Sequence, residues 1–312
     1  MIAVTAGLGM MIGACASAPR PEPTLAPVQY GFEKVGSTSV FFREAGATDR
    51  PTLLLLHGFP ASSHQYRRLL DALGTDLNVI APDYPGFGFT EAPPTFEFTF
   101  DKLTDTIEGF CKQQGLDHFF IYMFDFGAPV GFRLALRHPE WIRGIITQNG
   151  NAYVDGIAPP IAEMIAIDAK ATPERAARVR ATVLSLEEIK AQYLTGAAHP
   201  EHIAPESWLL DGALLARPER TAAMLSLLDD YKTNLASYPA WQSFLRTRRP
   251  PLLVVWGRDD PIFLEAGAHA FRRDVPEAQV YVIPGGHFLS EEQPAAIAAL
   301  LRGFVAEHGN ER

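Results

Sequence analysis

A chain of 312 residues, 47% hydrophobic and 20% charged, has the composition of a water-soluble globular protein and is long enough for one large core plus an insertion. Its net charge of −9 leaves no basic excess to neutralise phosphates, which argues against nucleic acid as a partner. Nor do its histidines, its two cysteines and its carboxylates fall into a metal-ligand pattern, so neither a metal nor an organic cofactor is expected.

Residues 1–24, MIAVTAGLGMMIGACASAPRPEPT, form an apolar run too short to span a bilayer comfortably, followed by small residues and a Pro-rich tether. The stretch Ile12, Gly13, Ala14, Cys15 resembles a bacterial lipoprotein signal, in which Cys15 would carry the lipid. No Lys or Arg precedes Arg20, so either the true start lies upstream or the segment is an uncleaved or mis-assigned extension. Residues 1–30 are accordingly expected to be a leader and tether that place the protein in the cell envelope, facing the periplasm and touching the membrane only through Cys15. The alternative is a cytoplasmic protein with a spurious leader.

Beyond the tether, Val40 to Arg43 reads as part of an early strand and Thr52 to Leu56 as a buried one. Leu53 to Leu56 shows no alternation, as a strand covered on both faces requires. It delivers a turn, His57, Gly58, Phe59, Pro60, in which the Gly beside the Pro sets an unusual loop path. Ser62 or Ser63 then caps a helix through Leu73. Leu77 to Ala81 is the next buried strand, ending in APDYPGFGF, where Gly86 and Gly88 are turn residues rather than a phosphate cradle. Between Phe100 and Gln114 the apolar positions Leu103, Ile107 and Phe110 recur at helical spacing, a core face that also takes in Cys111.

The stretch Phe119 to Phe132, FFIYMFDFGAPVGF, organises the rest. An apolar strand from Phe119 to Phe124 stops at Asp125, and a helix begins at Gly127 and runs to His138. So abrupt a change exposes the side chain at the bend and aims the helix N-terminus at it. Asp125 could simply cap that helix, since Asp is a favoured N-cap. Alternatively it is a nucleophile, with the backbone N–H groups of Phe126 and Phe59 forming an oxyanion hole.

After a strand from Ile142 to Thr147, ending in QNGNAY, the strand pattern vanishes between about Asn151 and Phe244. Ala-, Leu-, Glu- and Arg-rich segments broken by prolines predict several short helices there. Strand signal returns at Leu252 to Trp256 and delivers GRDDP, with Asp260 directly before Pro261 and Asp259 its competitor. A helix near Ala266 to Arg273, a strand from Gln279 to Ile283, the turn Pro284, Gly285, Gly286, His287 and a final helix from Pro294 to Glu307 follow. Such alternation predicts an α/β fold with a mostly parallel, doubly wound sheet. Asp125, Asp260 and His287 each follow a buried strand, in the order nucleophile, acid, histidine.

HGFP, DYPGFG, FDFGAPVGFRLA, QNGNAY, WGRDDPIF and GGHF together resemble the epoxide hydrolase and haloalkane dehalogenase branch of the α/β-hydrolases, from about Gly31 to Val305. The resemblance implies an α/β-hydrolase core at 31–150 and 245–312 and a helical cap at 151–244 that roofs the active site. His57, Gly58 and Pro60 would then support the turn that presents Phe59.

An aspartate nucleophile selects its substrate. A carboxylate is ionised at neutral pH without help, and attack on an ester carbonyl would give only a reactive anhydride. Displacement at saturated carbon gives a stable alkyl ester, which His287, oriented by Asp260, can hydrolyse by deprotonating a water. An opening epoxide needs a proton donor such as a tyrosine hydroxyl; a departing halide needs N–H donors. By the resemblance, a dehalogenase would carry Trp after the nucleophile and Asn after the His-Gly pair, or, for fluoroacetate, Arg after the nucleophile; here Phe126 and Phe59 hold those places. Tyr231, in DYKTN, resembles the second cap tyrosine of epoxide hydrolases, with Tyr153 as its expected partner and Tyr193 as the alternative. Tyr238 is the remaining cap tyrosine, and Trp208 and Trp241 could supply an indole N–H. The expected substrate is therefore a small epoxide, with a haloalkane or haloacid next and a non-catalytic small-molecule-binding relative as the reading of another class.

Overall fold

The computed structural model describes residues 26–166 and 172–309. It begins with a β-hairpin, β1 (Gln29–Val35) and β2 (Thr38–Ala45), and continues through β3 (Thr52–Leu56), α1 (Arg67–Leu73), β4 (Asn78–Pro82), α2 (Phe100–Gln113), β5 (Phe119–Phe124), α3 (Gly127–Arg137) and β6 (Ile142–Gln148). Six helices come next: α4 (Pro159–Ala166), α5 (Pro173–Thr182), α6 (Leu186–Leu194), α7 (Pro205–Leu215), α8 (Pro218–Asp230) and α9 (Lys232–Arg248). The chain closes with β7 (Leu252–Gly257), α10 (Glu265–Ala270), β8 (Gln279–Ile283), α11 (Leu289–Glu292) and α12 (Pro294–His308).

The eight strands form one sheet in the order β1-β2-β4-β3-β5-β6-β7-β8, antiparallel at the β1-β2-β4 edge and parallel from there on. Burial explains the hydrophobic runs. Every residue of β5 is fully buried, as are Leu53 to Leu56 of β3, because helices cover both faces. Phe120 packs edge-on against Phe304 of α12 on one side, and Gly131 of α3 lies against Met123 on the other. The parallel order brings the C-terminal ends of β3, β5, β6, β7 and β8 to one edge, which is where Asp125, Asp260 and His287 emerge.

Two boundaries differ from the sequence reading. Strand β1 begins at Gln29, inside the segment taken as tether, and the last cap helix continues to Arg248 rather than ending near Phe244. The helices between β6 and β7 are fastened to the core by three arginines, two buried and one half-buried. Arg133 of α3 donates to Asn234 Oδ1 at 2.7 Å and Thr233 Oγ1 at 3.1 Å of α9. Arg220 of α8 donates to the carbonyls of Phe87 and Thr90. Arg67 of α1 is paired at 2.5 Å with the fully buried Glu291, which also accepts a hydrogen bond from Ser207 of α7. Among the described residues no helix is long and apolar enough to cross a membrane; Cys15 lies outside them.

Candidate active site

Asp125 takes a φ of 48°, a left-handed conformation that costs an L-residue on the order of 1 kcal/mol or more and that Asp and Asn tolerate best. The bend turns β5 into α3 within two residues. It also sets Asp125 apart from a helix cap, because the N-cap of α3 is Phe126, with no side-chain capping bond. The Asp125 carboxylate turns back over the sheet edge instead. Its Oδ1 accepts the Phe59 N–H at 2.6 Å, and the neighbouring Phe126 amide also favours the charged carboxylate. Gly58 makes this approach feasible: a Cβ there would stand 2.4 Å from Asp125 Oδ1.

His287 is fully buried, and its Nδ1–H donates to Asp260 Oδ2 at 2.7 Å. That fixes the tautomer and leaves the Nε2 lone pair, 3.8 Å from Asp125 Oδ2, without a protein hydrogen bond. Asp260 is itself held from three sides, since its Oδ1 accepts the Ile262 N–H at 2.7 Å and its Oδ2 accepts Asn149 Nδ2 at 2.6 Å. Asp259, the competing carboxylate, is exposed and paired with Arg258. Burial pushes the Asp125 pKa up to about 6, against the opposing pull of His287 and the two amides. Burial alone would make His287 harder to protonate; Asp260, supported by Asp125, outweighs it and holds the imidazole above its ordinary value.

His57 plays no part in this chain of contacts. Its Nδ1–H faces the Gly58 carbonyl at 3.2 Å and its Nε2 accepts the Tyr84 N–H, while burial lowers its pKa to about 4. It is a neutral anchor that ties the Gly58–Phe59–Pro60 turn, with its cis Phe59–Pro60 bond, to the loop after β4.

Above Asp125 lies a chamber of about 110 Å³. Phe59, Asp125, Phe126, Ile262 and Phe263 form its floor; Ile161, Met164 and Ile165 of α4, Val183, Leu228 and Tyr231 supply an apolar roof. Glu188 and Gln192, four residues apart on one face of α6, and Thr182 complete the wall. No Lys, Arg or Trp among the described residues lines it.

Of the cap tyrosines, Tyr231 alone reaches the chamber. The expectation for Tyr153 is corrected here: its hydroxyl donates to Asp274 Oδ2 at 2.7 Å and its ring packs on Phe271, so it faces away from Asp125. The alternative, Tyr193, is equally committed, donating to Asp211 at 2.5 Å and stacking on Phe288. Trp208 and Trp241 are buried in cap packing, the latter stacked on Phe132. Sequence reasoning missed the loop after β6. Asn149, also at positive φ (49°), donates to Asp260 and accepts the Gly257 N–H, and Gln148 Nε2 donates to the His287 carbonyl at 2.9 Å. A polar QNGN run closing an apolar strand was the available signal.

A buried carboxylate facing an imidazole that is braced by a second carboxylate, at the edge of a parallel sheet under a helical insertion, is the architecture of a hydrolase. The chain belongs to the alpha/beta hydrolase family, whose model matches residues 53–300. It is 42% identical to an uncharacterized hydrolase of Saccharomyces cerevisiae over 86% of this chain and 94% of that one. It is also 24% identical to epoxide hydrolase 3 of Xenopus tropicalis over 93% of this chain and 82% of that one. The solved structure of haloalkane dehalogenase DbeA from Bradyrhizobium elkani superposes with a TM-score of 0.76 and 22% identity, covering 92% of this chain and 100% of that one. The protein is thus an enzyme of the hydrolase class in the alpha/beta hydrolase family.

Proposed function

We propose that the enzyme opens small epoxides to vicinal diols through a covalent ester on Asp125. The observation that carries this reading is the placement of Asp125 and Tyr231 in one apolar chamber, with no tryptophan N–H lining it among the described residues. Asp125 Oδ2 attacks an epoxide carbon; the C–O bond breaks, and the leaving oxygen takes the proton of Tyr231. His287 Nε2 then deprotonates a water that attacks Cγ of the ester, while the Phe59 and Phe126 amides hold the oxyanion at Oδ1. Collapse releases the diol and restores Asp125, and the proton on His287 returns to the Tyr231 phenolate through solvent. Alkylation removes the Asp125 charge, one of the influences that raise the His287 pKa, so the imidazole is more readily neutral when it must act as a base.

A second reading, haloalkane dehalogenation, draws support from Gln192, whose amide N–H groups could receive a halide in the chamber wall. Haloacids fit poorly, because the charged residues of the lining, Asp125 and Glu188, are both acidic. Intact-mass measurement of the His287→Ala variant separates the readings. An epoxide should add its whole mass to the protein and a haloalkane its mass less halogen, whereas reversible binding without any adduct would replace both readings with that of a binding protein. The envelope location read from residues 1–30 belongs to the proposal too; lipid-modified Cys15 as the first residue of protein recovered from cells supports it, and an unprocessed chain in the soluble fraction would overturn it.

A further inference from the structure

Between α6 and α7 the chain reads His199, Pro200, Glu201, His202, and Pro200–His202 form a single 3₁₀ turn with Pro200 at its start. Such a turn repeats every three residues, so side chains at i and i+3 stand over one another. The His199 and His202 rings are accordingly stacked, with centroids 4.9 Å apart and planes 19° from parallel. Glu201 reaches the same side, its Oε1 lying 3.5 Å from His199 Nδ1 and 4.0 Å from His202 Nε2. One ligand atom from each of the three residues lies within 4.8 Å of the other two. Around a tetrahedral ion, with bonds of about 2.0–2.1 Å, donor atoms stand about 3.3 Å apart. All three side chains are exposed, so they can close to that spacing by rotation, without backbone movement. An extended run would send the same donors to opposite sides, which is why no metal-ligand pattern stands out in the sequence.

The backbone under the cluster is held from both directions. The His202 N–H donates to the His199 carbonyl at 2.9 Å, and Ile203, 3% exposed, anchors the end of the turn in the core. The His199 N–H donates to Glu292 Oε1 at 2.9 Å, while Oε2 of the same carboxylate accepts the N–H of Gly286, the residue before His287. Just upstream the cap rests directly on the loops that carry the acid and the histidine. A Cβ at Gly286 would stand 2.7 Å from the Thr195 carbonyl oxygen, and one at Gly196 would stand 2.0 Å from that of Asp259. We propose that His199, Glu201 and His202 bind one divalent transition-metal ion, Zn²⁺ foremost, with water completing its shell, and that the ion clamps the cap at this seam. Two imidazoles and a carboxylate suit Zn²⁺, Ni²⁺ or Cu²⁺ and not the oxygen-seeking Mg²⁺ or Ca²⁺. None of the three residues lines the chamber, so the ion is structural and the inference holds whichever substrate the enzyme takes.

Titration calorimetry of the untagged full chain with zinc chloride tests the site. One ion should bind with a dissociation constant in the micromolar range, and magnesium chloride should give no binding at the same concentrations. His199→Gln and His202→Gln should each weaken binding by more than about tenfold, since loss of even an outer partner of a metal ligand commonly costs about 10- to 100-fold. Both positions are exposed, and circular dichroism should show the variants folded. Saturating Zn²⁺ should raise the melting temperature of the unmodified chain and leave that of the double variant unchanged. Absence of micromolar binding would overturn the proposal, as would a site that survives both substitutions and so marks an adventitious ion elsewhere. Binding that depends on both histidines but leaves the melting temperature unmoved would overturn the clamp.

Discussion

Replacing Asp125 by Asn should stabilise the protein while ending its activity. The carboxylate is buried, and burial raises its pKa from 3.8 to about 6. A shift of roughly 2 units corresponds to about 3 kcal/mol of unfavourable free energy in the ionised folded state, good only to order of magnitude. A raised carboxylate pKa means that the folded chain holds a proton the unfolded chain has already lost between about pH 4 and pH 6. Stability from this group therefore falls as pH rises through that window and stays low above it. Asn keeps the acceptor for the Phe59 N–H but carries no charge. At pH 7.5 the variant should exceed the wild type by up to about 3 kcal/mol in urea unfolding, or about 5 °C in melting temperature for a chain of this size. The difference should shrink towards zero near pH 4. An Asn variant no more stable at pH 7.5, or a gain as large at pH 4 as at pH 7.5, would refute the argument that burial sets the charge cost at this corner.

Ester formation measured against pH should rise through about pH 6 as Asp125 ionises, and it should hold level past pH 9, because burial keeps the Tyr231 phenol well above its ordinary range. Ester hydrolysis should instead fall towards acid pH, since Asp260 favours the protonated imidazole and a protonated His287 cannot act as a base. Asn149→Ala strips one hydrogen bond from Asp260 and one from the Gly257 amide, and should slow hydrolysis of the ester by about 10- to 100-fold with the fold retained by circular dichroism. Arg133→Met cuts the buried tie between α3 and α9 and should cost about 1 to 3 kcal/mol in urea unfolding, since it leaves the buried Asn234 Oδ1 without its donor.

The strands that build the site were legible because burial on both faces forces unbroken apolar runs, and β3, β5 and β7 are buried along their whole length or nearly so. The edge strand β1 was not legible, since its residues alternate between exposed and half-buried, with Tyr30 and Phe32 turned largely to solvent. Asp125, Asp260 and His287 could be named because each ends such a run. Their supports could not. Asn149 matters only because β6 and β7 are neighbours, which places a residue of one loop against a carboxylate 111 positions later. The cap tyrosines show the same limit from the other side. Helical periodicity does not say that Tyr153 will meet Asp274 or Tyr193 will meet Asp211, and those distant partners decide which hydroxyl remains for the chamber.

The glycine at position 58 has a chemical consequence for the fate of individual atoms. With backbone pressed against one side of the Asp125 carboxylate and the Phe59 amide locked to Oδ1, the two oxygens are not equivalent. On the proposed pathway Oδ2 leaves in the product each cycle and is replaced from water, whereas Oδ1 remains a permanent part of the protein. After many turnovers in heavy-oxygen water, Asp125 should therefore carry one isotopic label and not two, and the first diol released should carry none.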